Sequence, residues 1–184
     1  MASVDEWTFA KELPSSRQIR LGFEGIAETI DKAICLLTAI TGFLKGEILS
    51  LQKSQVNFAL HSVIPKHFTR KKRSGITFFN EETASWLQKY LNRRKDDFQK
   101  LFVVGDRQWK KIWRLASKGA GVSITSKVLR AWFSTEMGEP GVTDSFVDVF
   151  QDRAPRIVLA KHYTCKELHL LKRICEKANL KVLN

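Results

Sequence analysis

Residues 127–133 read Lys127-Val128-Leu129-Arg130-Ala131-Trp132-Phe133. The apolar side chains of this stretch recur at the spacing of one helix face, which predicts a core helix from about residue 123 to 137. Lys127 and Arg130 are three residues apart and would lie side by side on the outer face of that helix. Taken alone, the pair would be interpreted as solvated surface charge, but its register with residues further along the chain favours a functional role.

Two polar residues follow this helix at distances that suit a known arrangement. Arg153 lies 23 residues after Arg130, and Tyr163 lies 10 residues after Arg153. The order resembles the second conserved box of the tyrosine recombinases, in which a (His/Lys)-x-x-Arg helix leads to a Gly-(His/Arg) step and then to a nucleophilic tyrosine. The lysine at position 127, the arginine at 153 and the ending at residues 176–183 resemble the archaeal integrase branch of that family.

A second match lies upstream, at Thr41-Gly42-Phe43-Leu44-Lys45-Gly46-Glu47-Ile48-Leu49. It resembles the first box of the family, a Thr-Gly-x-Arg-x-x-Glu turn at the start of a helix, with Leu44 at the arginine position. Lys45 is adjacent, but it points about 100° around a helix from Leu44, so we do not expect it to replace the arginine directly. The resemblance covers roughly residues 22 to 184.

The resemblance implies a reaction and roles for named residues. Tyr163 would attack a DNA phosphodiester and form a phosphotyrosyl intermediate. Arg130 would clamp the phosphate, with Lys127 and Arg153 beside it, because cationic donors stabilise the negative charge that develops on the non-bridging oxygens. No metal or other cofactor is expected, since these cations take the place of a metal.

A basic hairpin supplies the remaining catalytic candidate. Residues 69–75 read Thr-Arg-Lys-Lys-Arg-Ser-Gly, and they are similar to the family's sheet that carries a catalytic lysine. Lys72, with Lys71 as second choice, would protonate the leaving 5′ oxygen as general acid.

Other residue types have less specific interpretations. The second tyrosine of the chain, Tyr90, lies on an apolar helical stripe and suits the core, which favours Tyr163 as the nucleophile. The four histidines have no metal-ligand spacing, although His162 could touch the phosphate beside Tyr163. The three cysteines match no zinc or redox motif, and their odd number argues against a disulfide framework, so a reducing compartment is expected.

Positive charge is concentrated in one segment. The chain carries a formal net charge of +12, and residues 66–130 contain 17 basic against 5 acidic side chains, whereas the remainder balances at 14 against 14. Such a patch is typical of a nucleic-acid-binding surface, although a solvated basic face of no special role is the alternative. The predicted DNA contacts lie on the hairpin and on a basic amphipathic helix from about residue 106: Arg70, Lys71, Arg73, Arg107, Lys111 and Arg114.

The predicted fold class is mainly α with a small antiparallel three-stranded β-sheet. Short apolar runs around the basic hairpin predict the sheet between about residues 55 and 79, and the rest of the chain shows helical spacing, including a helix at about 155–162. We expect residues 1–19 to be a tail or linker remnant and residues 20–184 to form an integrase-like domain that lacks the family's amino-terminal DNA-embracing domain. No apolar run is long enough to span a bilayer and the amino terminus does not resemble a signal peptide, so a cytoplasmic protein is expected.

Two departures from the family pattern bear on activity. Leu44 removes one charge-stabilising donor, and Asp152 places a carboxylate beside Arg153, where the family usually has glycine. The main hypothesis is therefore a DNA-binding recombinase domain of impaired activity, and the alternative is a non-catalytic DNA-binding remnant of an integrase. Partners would be double-stranded DNA and further recombinase protomers on paired sites. Binding of RNA or ribosomes is a weaker third option. The target DNA sequence is not predicted, because contacts to phosphates carry no sequence information.

Overall fold

The computed structural model describes residues 12–65, 76–151 and 165–183. Within these ranges the chain forms eight α-helices and three short strands. The helices are α1 (Ser16–Glu24), α2 (Thr29–Thr41), α3 (Lys45–Ser50), α4 (Glu81–Arg93), α5 (Asp106–Ala120), α6 (Ser126–Gly138), α7 (Asp144–Phe150) and α8 (Cys165–Ala178). Within the described ranges, every helix is too short or too polar to cross a membrane.

The strands form the small antiparallel sheet that the sequence predicts. They are β1 (Val56–Asn57), β2 (Ser62–Val63) and β3 (Thr77–Phe78), in the order β1-β2-β3, and Val63 pairs with both Val56 and Thr77. The basic segment at residues 69–75 falls in the connection between β2 and β3 at residues 66–75, which lies outside the described residues. The fold class predicted from the sequence is confirmed.

Helix α2 is the centre of the core. Its residues from Ala33 to Thr41 are all buried, because apolar side chains occupy every face and the threonine hydroxyls bond back to the helix itself. Helices α4 and α6 pack on it from different sides. The largest fully buried side chains include Trp132 and Phe133 of α6, so residues 127–133 do supply a core helix, as predicted.

Helices α1 and α5 cross at very short range. A Cβ built on Gly22 would lie 2.8 Å from the carbonyl oxygen of Ala116, and one built on Gly119 would lie 2.6 Å from that of Leu21. Because these are backbone atoms, no side-chain adjustment could relieve the overlap. Glycine at both positions is therefore a condition for this crossing.

The start of the fold differs from the expected boundary. Helix α1 begins at Ser16, capped by Ser15 through a capping box with Gln18, and Ile19 is buried. Helix α1 thus begins four residues before the domain boundary expected at residue 20, and that boundary stays a prediction. The helical spacing of the apolar residues from Phe23 to Ile40 predicts one core helix that ends at residue 41. The chain instead breaks at residues 25–28 into α1 and α2.

The carboxyl-terminal segment is docked on α4. The carboxylate of Glu82 accepts hydrogen bonds from the backbone N–H groups of Val182 and Leu183, at 3.1 and 3.2 Å, and the amide of Asn80 donates to the carbonyl oxygen of Leu180. The side chains of Leu180 and Val182 in this segment are buried. The helix predicted at about 155–162 lies outside the described residues.

Candidate active site

Arg130 lies in the middle of α6 with its guanidinium group largely enclosed by protein. Nη1 donates to the carbonyl oxygen of Gly42 at 3.0 Å and to Oε2 of Glu47 at 3.1 Å, and Nη2 donates to the carbonyl oxygen of Gln151 at 2.5 Å. Its side chain is 13% exposed. Three acceptors, two from the turn between α2 and α3 and one from the end of α7, thus fix the plane of this guanidinium group. A phosphate-binding arginine would need such a preorganised geometry.

The turn between α2 and α3 supplies two of those acceptors. Helix α2 ends at Gly42, whose φ of +65° is the left-handed conformation that favours glycine. Leu44 is the residue before α3, and its backbone N–H donates to Oε2 of Glu47 at 2.6 Å. The same carboxylate therefore closes the first turn of α3 and holds Arg130. This is the turn that the sequence matches to the first box of the tyrosine recombinases.

Gln151, at the carboxyl end of α7, supplies the third acceptor. Its backbone oxygen holds Arg130, while its own side-chain amide donates to the backbone oxygen of Arg130 and to Oγ of Ser134, both at 2.9 Å. Gln151 was not among the residues predicted from the sequence. The pattern that could have identified it is a polar residue directly after the apolar residues Val147, Val149 and Phe150 of a buried helix end.

The side chain of Leu44 brings no donor to this cluster, because it is aliphatic. The neighbouring Lys45 is directed elsewhere: Nζ forms an ion pair of 2.7 Å with Oδ1 of Asp106, the first residue of α5. That carboxylate is exposed, and its hydrogen bond and charge interaction with Lys45 lower its pKa below the usual range. The lysine ammonium group therefore lies against the first residue of α5.

Lys127 lies one helical turn before Arg130 and is exposed. Its side chain makes no hydrogen bond or ion pair with another residue of the described ranges, so its ammonium group is available at the surface beside Arg130. The remaining candidates lie outside the described residues: Tyr163, Arg153, Lys72, Lys71, Arg70 and Arg73. Their catalytic and DNA-binding roles stay predictions.

Helix α5 has the two faces that its sequence pattern predicts. Trp109, Ile112 and Trp113 are buried, and the two indole rings meet edge to face with centroids 5.3 Å apart. These tryptophans belong to the core and are not a base-stacking platform. The opposite face carries five exposed cations at helical spacing: Arg107, Lys110, Lys111, Arg114 and Lys118.

Nucleophilic and metal-binding side chains elsewhere offer no competing centre in the part of the chain that the structure describes. Burial raises the pKa of the Cys35 and Cys175 thiols to about 12, so both are protonated and unreactive near neutral pH. No group of three or more histidine, cysteine or carboxylate side chains lies close enough to hold a metal within residues 12–65, 76–151 and 165–183.

Comparisons with known proteins find similar sequences and similar folds. The profile described as the phage integrase family matches residues 22–165, a range that includes the α2–α3 turn, Arg130 and Tyr163. Two curated relatives are described as tyrosine recombinase XerA. The protein from Saccharolobus solfataricus is 28% identical over 118 residues, which cover 64% of this chain and 40% of the relative. The protein from Pyrococcus furiosus is 28% identical over 159 residues, which cover 82% of this chain and 55% of the relative.

The chain spans about half the length of the curated relatives it matches. Its fold is similar to the crystal structure of XerA recombinase, with a TM-score of 0.66, 22% identity and coverage of 89% of this chain and 66% of the other. An integrase from mycobacterium phage Brujita gives a TM-score of 0.70 at 15% identity, covering 92% and 58%. The XerH site-specific recombinase, solved with its difH substrate in a pre-cleavage complex, gives 0.60 at 15% identity, covering 86% and 47%.

Proposed function

The chain belongs to the phage integrase family of tyrosine recombinases, and from that premise we propose that it is a site-specific recombinase domain that cleaves and rejoins duplex DNA through Tyr163. The observation that carries the proposal is the fixed guanidinium group of Arg130. It is enclosed, held by three acceptors and placed at the turn that matches the first box of the family. An arginine that stabilises charge during a reaction needs such a fixed position.

The proposed reaction assigns one task to each side chain. The phenol oxygen of Tyr163 attacks phosphorus, forming a 3′-phosphotyrosyl bond as the bond to the 5′ oxygen breaks. Arg130, with Lys127 and Arg153 beside it, binds the non-bridging oxygens, where negative charge increases in the transition state. Lys72, or Lys71, gives a proton to the leaving 5′ oxygen. Attack of that 5′ hydroxyl on the phosphotyrosine, in the reverse sense, rejoins the strand.

The same proposal includes a weakened active site. The side chain of Leu44 cannot donate a hydrogen bond, and the ammonium group of Lys45 is paired with Asp106. Loss of one donor to a developing negative charge lowers a rate by about 100- to 1000-fold. Asp152 would further offset the charge of Arg153. The second candidate function, a non-catalytic DNA-binding domain, is favoured by these same departures.

DNA would bind across the exposed basic face of α5 and the basic hairpin. Arg107, Lys111 and Arg114 are spaced along one side of α5 and can follow successive phosphates. Further copies of the chain on paired DNA sites are part of the proposal, as in other recombinases of this family. We also propose that the protein acts in the cytoplasm, as the sequence predicts.

The test is covalent capture of nicked duplex DNA. The chain is incubated with a pool of nicked suicide duplexes of randomised sequence, and adducts are isolated by denaturing electrophoresis and sequenced. Three variants run alongside: Tyr163→Phe, Leu44→Arg, and Tyr90→Phe as matched control, because Tyr90 is a buried tyrosine that bonds the carbonyl oxygen of Leu101.

Each outcome separates the candidate functions. Adducts that form with the unchanged chain and with Tyr90→Phe, but not with Tyr163→Phe, support a recombinase nucleophile at position 163. Adducts that appear only with Leu44→Arg support a scaffold disabled at one position. DNA binding without adducts in any version supports the non-catalytic domain, and preference for single-stranded RNA over duplex DNA contradicts both.

A further inference from the structure

Gln151 is a fully buried polar side chain at the carboxyl end of α7, with 0% of its surface exposed. Its Nε2 atom donates to the backbone oxygen of Arg130 and to Oγ of Ser134. The hydroxyl group of Ser134 in turn donates to the same backbone oxygen, at 3.1 Å. The three residues therefore form a closed set of hydrogen bonds around one carbonyl group of α6.

The bonds between Gln151 and Arg130 are reciprocal. The Arg130 guanidinium donates to the backbone oxygen of Gln151 at 2.5 Å, and the Gln151 side chain donates to the backbone oxygen of Arg130 at 2.9 Å. Each residue thus holds the main chain of the other. The guanidinium group and the backbone from which it projects are fixed against the same point of α7.

The amide of Gln151 also lies against the turn after α2. A Cβ built on Gly42 would lie 2.8 Å from Nε2 of Gln151, so the glycine leaves room for the amide. The carbonyl oxygen of Gly42 is itself an acceptor for Arg130. The end of α7, the middle of α6 and the α2–α3 turn therefore meet at this one side chain.

Stability alone does not account for an amide in this place. Oε1 of Gln151 is buried and has no hydrogen-bond partner within the described residues. Because an unsatisfied buried polar atom lowers the stability of a fold, an apolar side chain of similar length would be tolerated at least as well by the core. An apolar side chain would, however, donate no hydrogen bond to the backbone oxygen of Arg130.

We infer that Gln151 is a positioning residue for Arg130 in DNA strand cleavage, an inference that rests on the proposed function. Its side chain holds the α6 backbone at Arg130, so that the guanidinium group meets the phosphate in one orientation. Catalysis depends steeply on such placement, and an error near 1 Å can lower a rate by about 100-fold. Gln151→Met keeps the length of the side chain and removes its donor.

The matched control is Gln55→Met, the same change at another buried glutamine. The side chain of Gln55 accepts the backbone N–H of Gln52 at 2.7 Å in the turn before β1, away from Arg130. Both substitutions are made in the unchanged chain and in Leu44→Arg. Three quantities are measured: the melting temperature, the duplex dissociation constant, and the single-turnover rate of adduct formation at saturating nicked duplex.

We expect Gln151→Met to lower the adduct rate by about 10- to 100-fold while the dissociation constant stays within about twofold. Gln55→Met should leave the rate unchanged, whatever it does to the melting temperature. Equal adduct rates in the two variants would overturn the inference. So would a loss of rate in Gln151→Met that is fully explained by a lower melting temperature, because Gln151 would then be a structural residue.

A second readout does not depend on activity. In ¹⁵N-labelled protein, restrained Nη atoms of Arg130 should give separate, slowly exchanging NMR signals, assigned by their loss in Arg130→Lys. These signals should merge in Gln151→Met and persist in Gln55→Met. If no version forms adducts, the proposed function fails, but merged signals still support the positioning role. Signals unchanged by Gln151→Met contradict it.

Discussion

Glu47 and Arg130 form an ion pair, Oε2 to Nη1 3.1 Å, that joins the first turn of α3 to the middle of α6. Both side chains are largely buried, at 9% and 13% exposed. The pair places a compensating negative charge beside the guanidinium group proposed to bind DNA phosphate. Its carboxylate is also the acceptor for the N–H of Leu44, so one side chain organises both the turn and the cation.

Glu47→Gln should lower the free energy of unfolding by about 1–3 kcal/mol, because the amide replaces a charged acceptor shared by two donors. Urea denaturation measures the change. Glu81→Gln is the control, since the Glu81 side chain is 85% exposed and its Oε1 lies 3.7 Å from Nε2 of His61. Equal stability of the two variants would show that the buried pair contributes nothing.

Replacing Arg107, Lys111 and Arg114 by glutamine should weaken duplex binding and flatten its salt dependence. The slope of log K against log salt concentration should fall by about 0.9 for each phosphate that the variant no longer neutralises. The charge-matched control replaces three exposed lysines on other helices or the carboxyl-terminal segment: Lys89, Lys177 and Lys181. The same decrease of slope in both triple variants would mean that net charge, and not the α5 face, directs binding.

Glu82→Gln should loosen the carboxyl-terminal segment. The carboxylate accepts two backbone N–H groups, from Val182 and Leu183, and charge-assisted bonds of this kind are stronger than those to an amide oxygen. Hydrogen exchange of these two amides should accelerate while exchange in α2 stays unchanged. Unaltered protection at Val182 would mean that burial of its side chain alone holds the segment.

Asp31→Asn should raise stability at neutral pH and flatten its pH dependence. Burial raises the pKa of Asp31 above the usual range, and the hydrogen bond from Gln108 and the charge of Lys111 offset this only in part. The folded state therefore binds the proton more tightly than the unfolded chain does. The contribution of Asp31 to stability is therefore complete below the pKa of this group in the unfolded chain, and it declines as pH rises towards the pKa in the folded state.

The test is the free energy of unfolding against pH for the unchanged chain and Asp31→Asn. Asparagine keeps an acceptor for Gln108, which bonds Oδ1 at 2.7 Å. The difference between the two proteins should grow in favour of Asp31→Asn as pH rises from below about 4 into the neutral range. A difference that shrinks over that range would mean that the carboxylate stabilises the fold in its charged form.

Gly119→Ala should destabilise the crossing of α1 and α5 by about 1–3 kcal/mol, because the new methyl group overlaps the backbone oxygen of Leu21. Gly138→Ala is the matched control. Its Cβ would meet nothing within 4 Å at the end of α6, so it should be neutral or stabilising by up to about 1 kcal/mol. Thermal unfolding compares the two, and a neutral Gly119→Ala would show that the helices can separate without destabilising the fold.

Much of the architecture was predictable because helical and strand periodicity are local. The apolar stripe of α4 and its cap at Asn80, and the two faces of α5, follow from spacings within single elements. The division between α1 and α2 was missed, since Ile26 continues the apolar pattern through the break at residues 25–28. The docking of Leu180 and Val182 was missed because Glu82 lies 100 residues away from Val182.

The sequence by itself determined the family resemblance, the position of Arg130 and the absence of an arginine at Leu44, because these depend on residue identity and on distance along the chain. Only the tertiary structure decided what holds Arg130. Its acceptors lie 88, 83 and 21 residues away, at Gly42, Glu47 and Gln151. A hydrogen bond forms only where donor and acceptor are brought within about 3 Å, and helix packing, not linear spacing, brings these groups together.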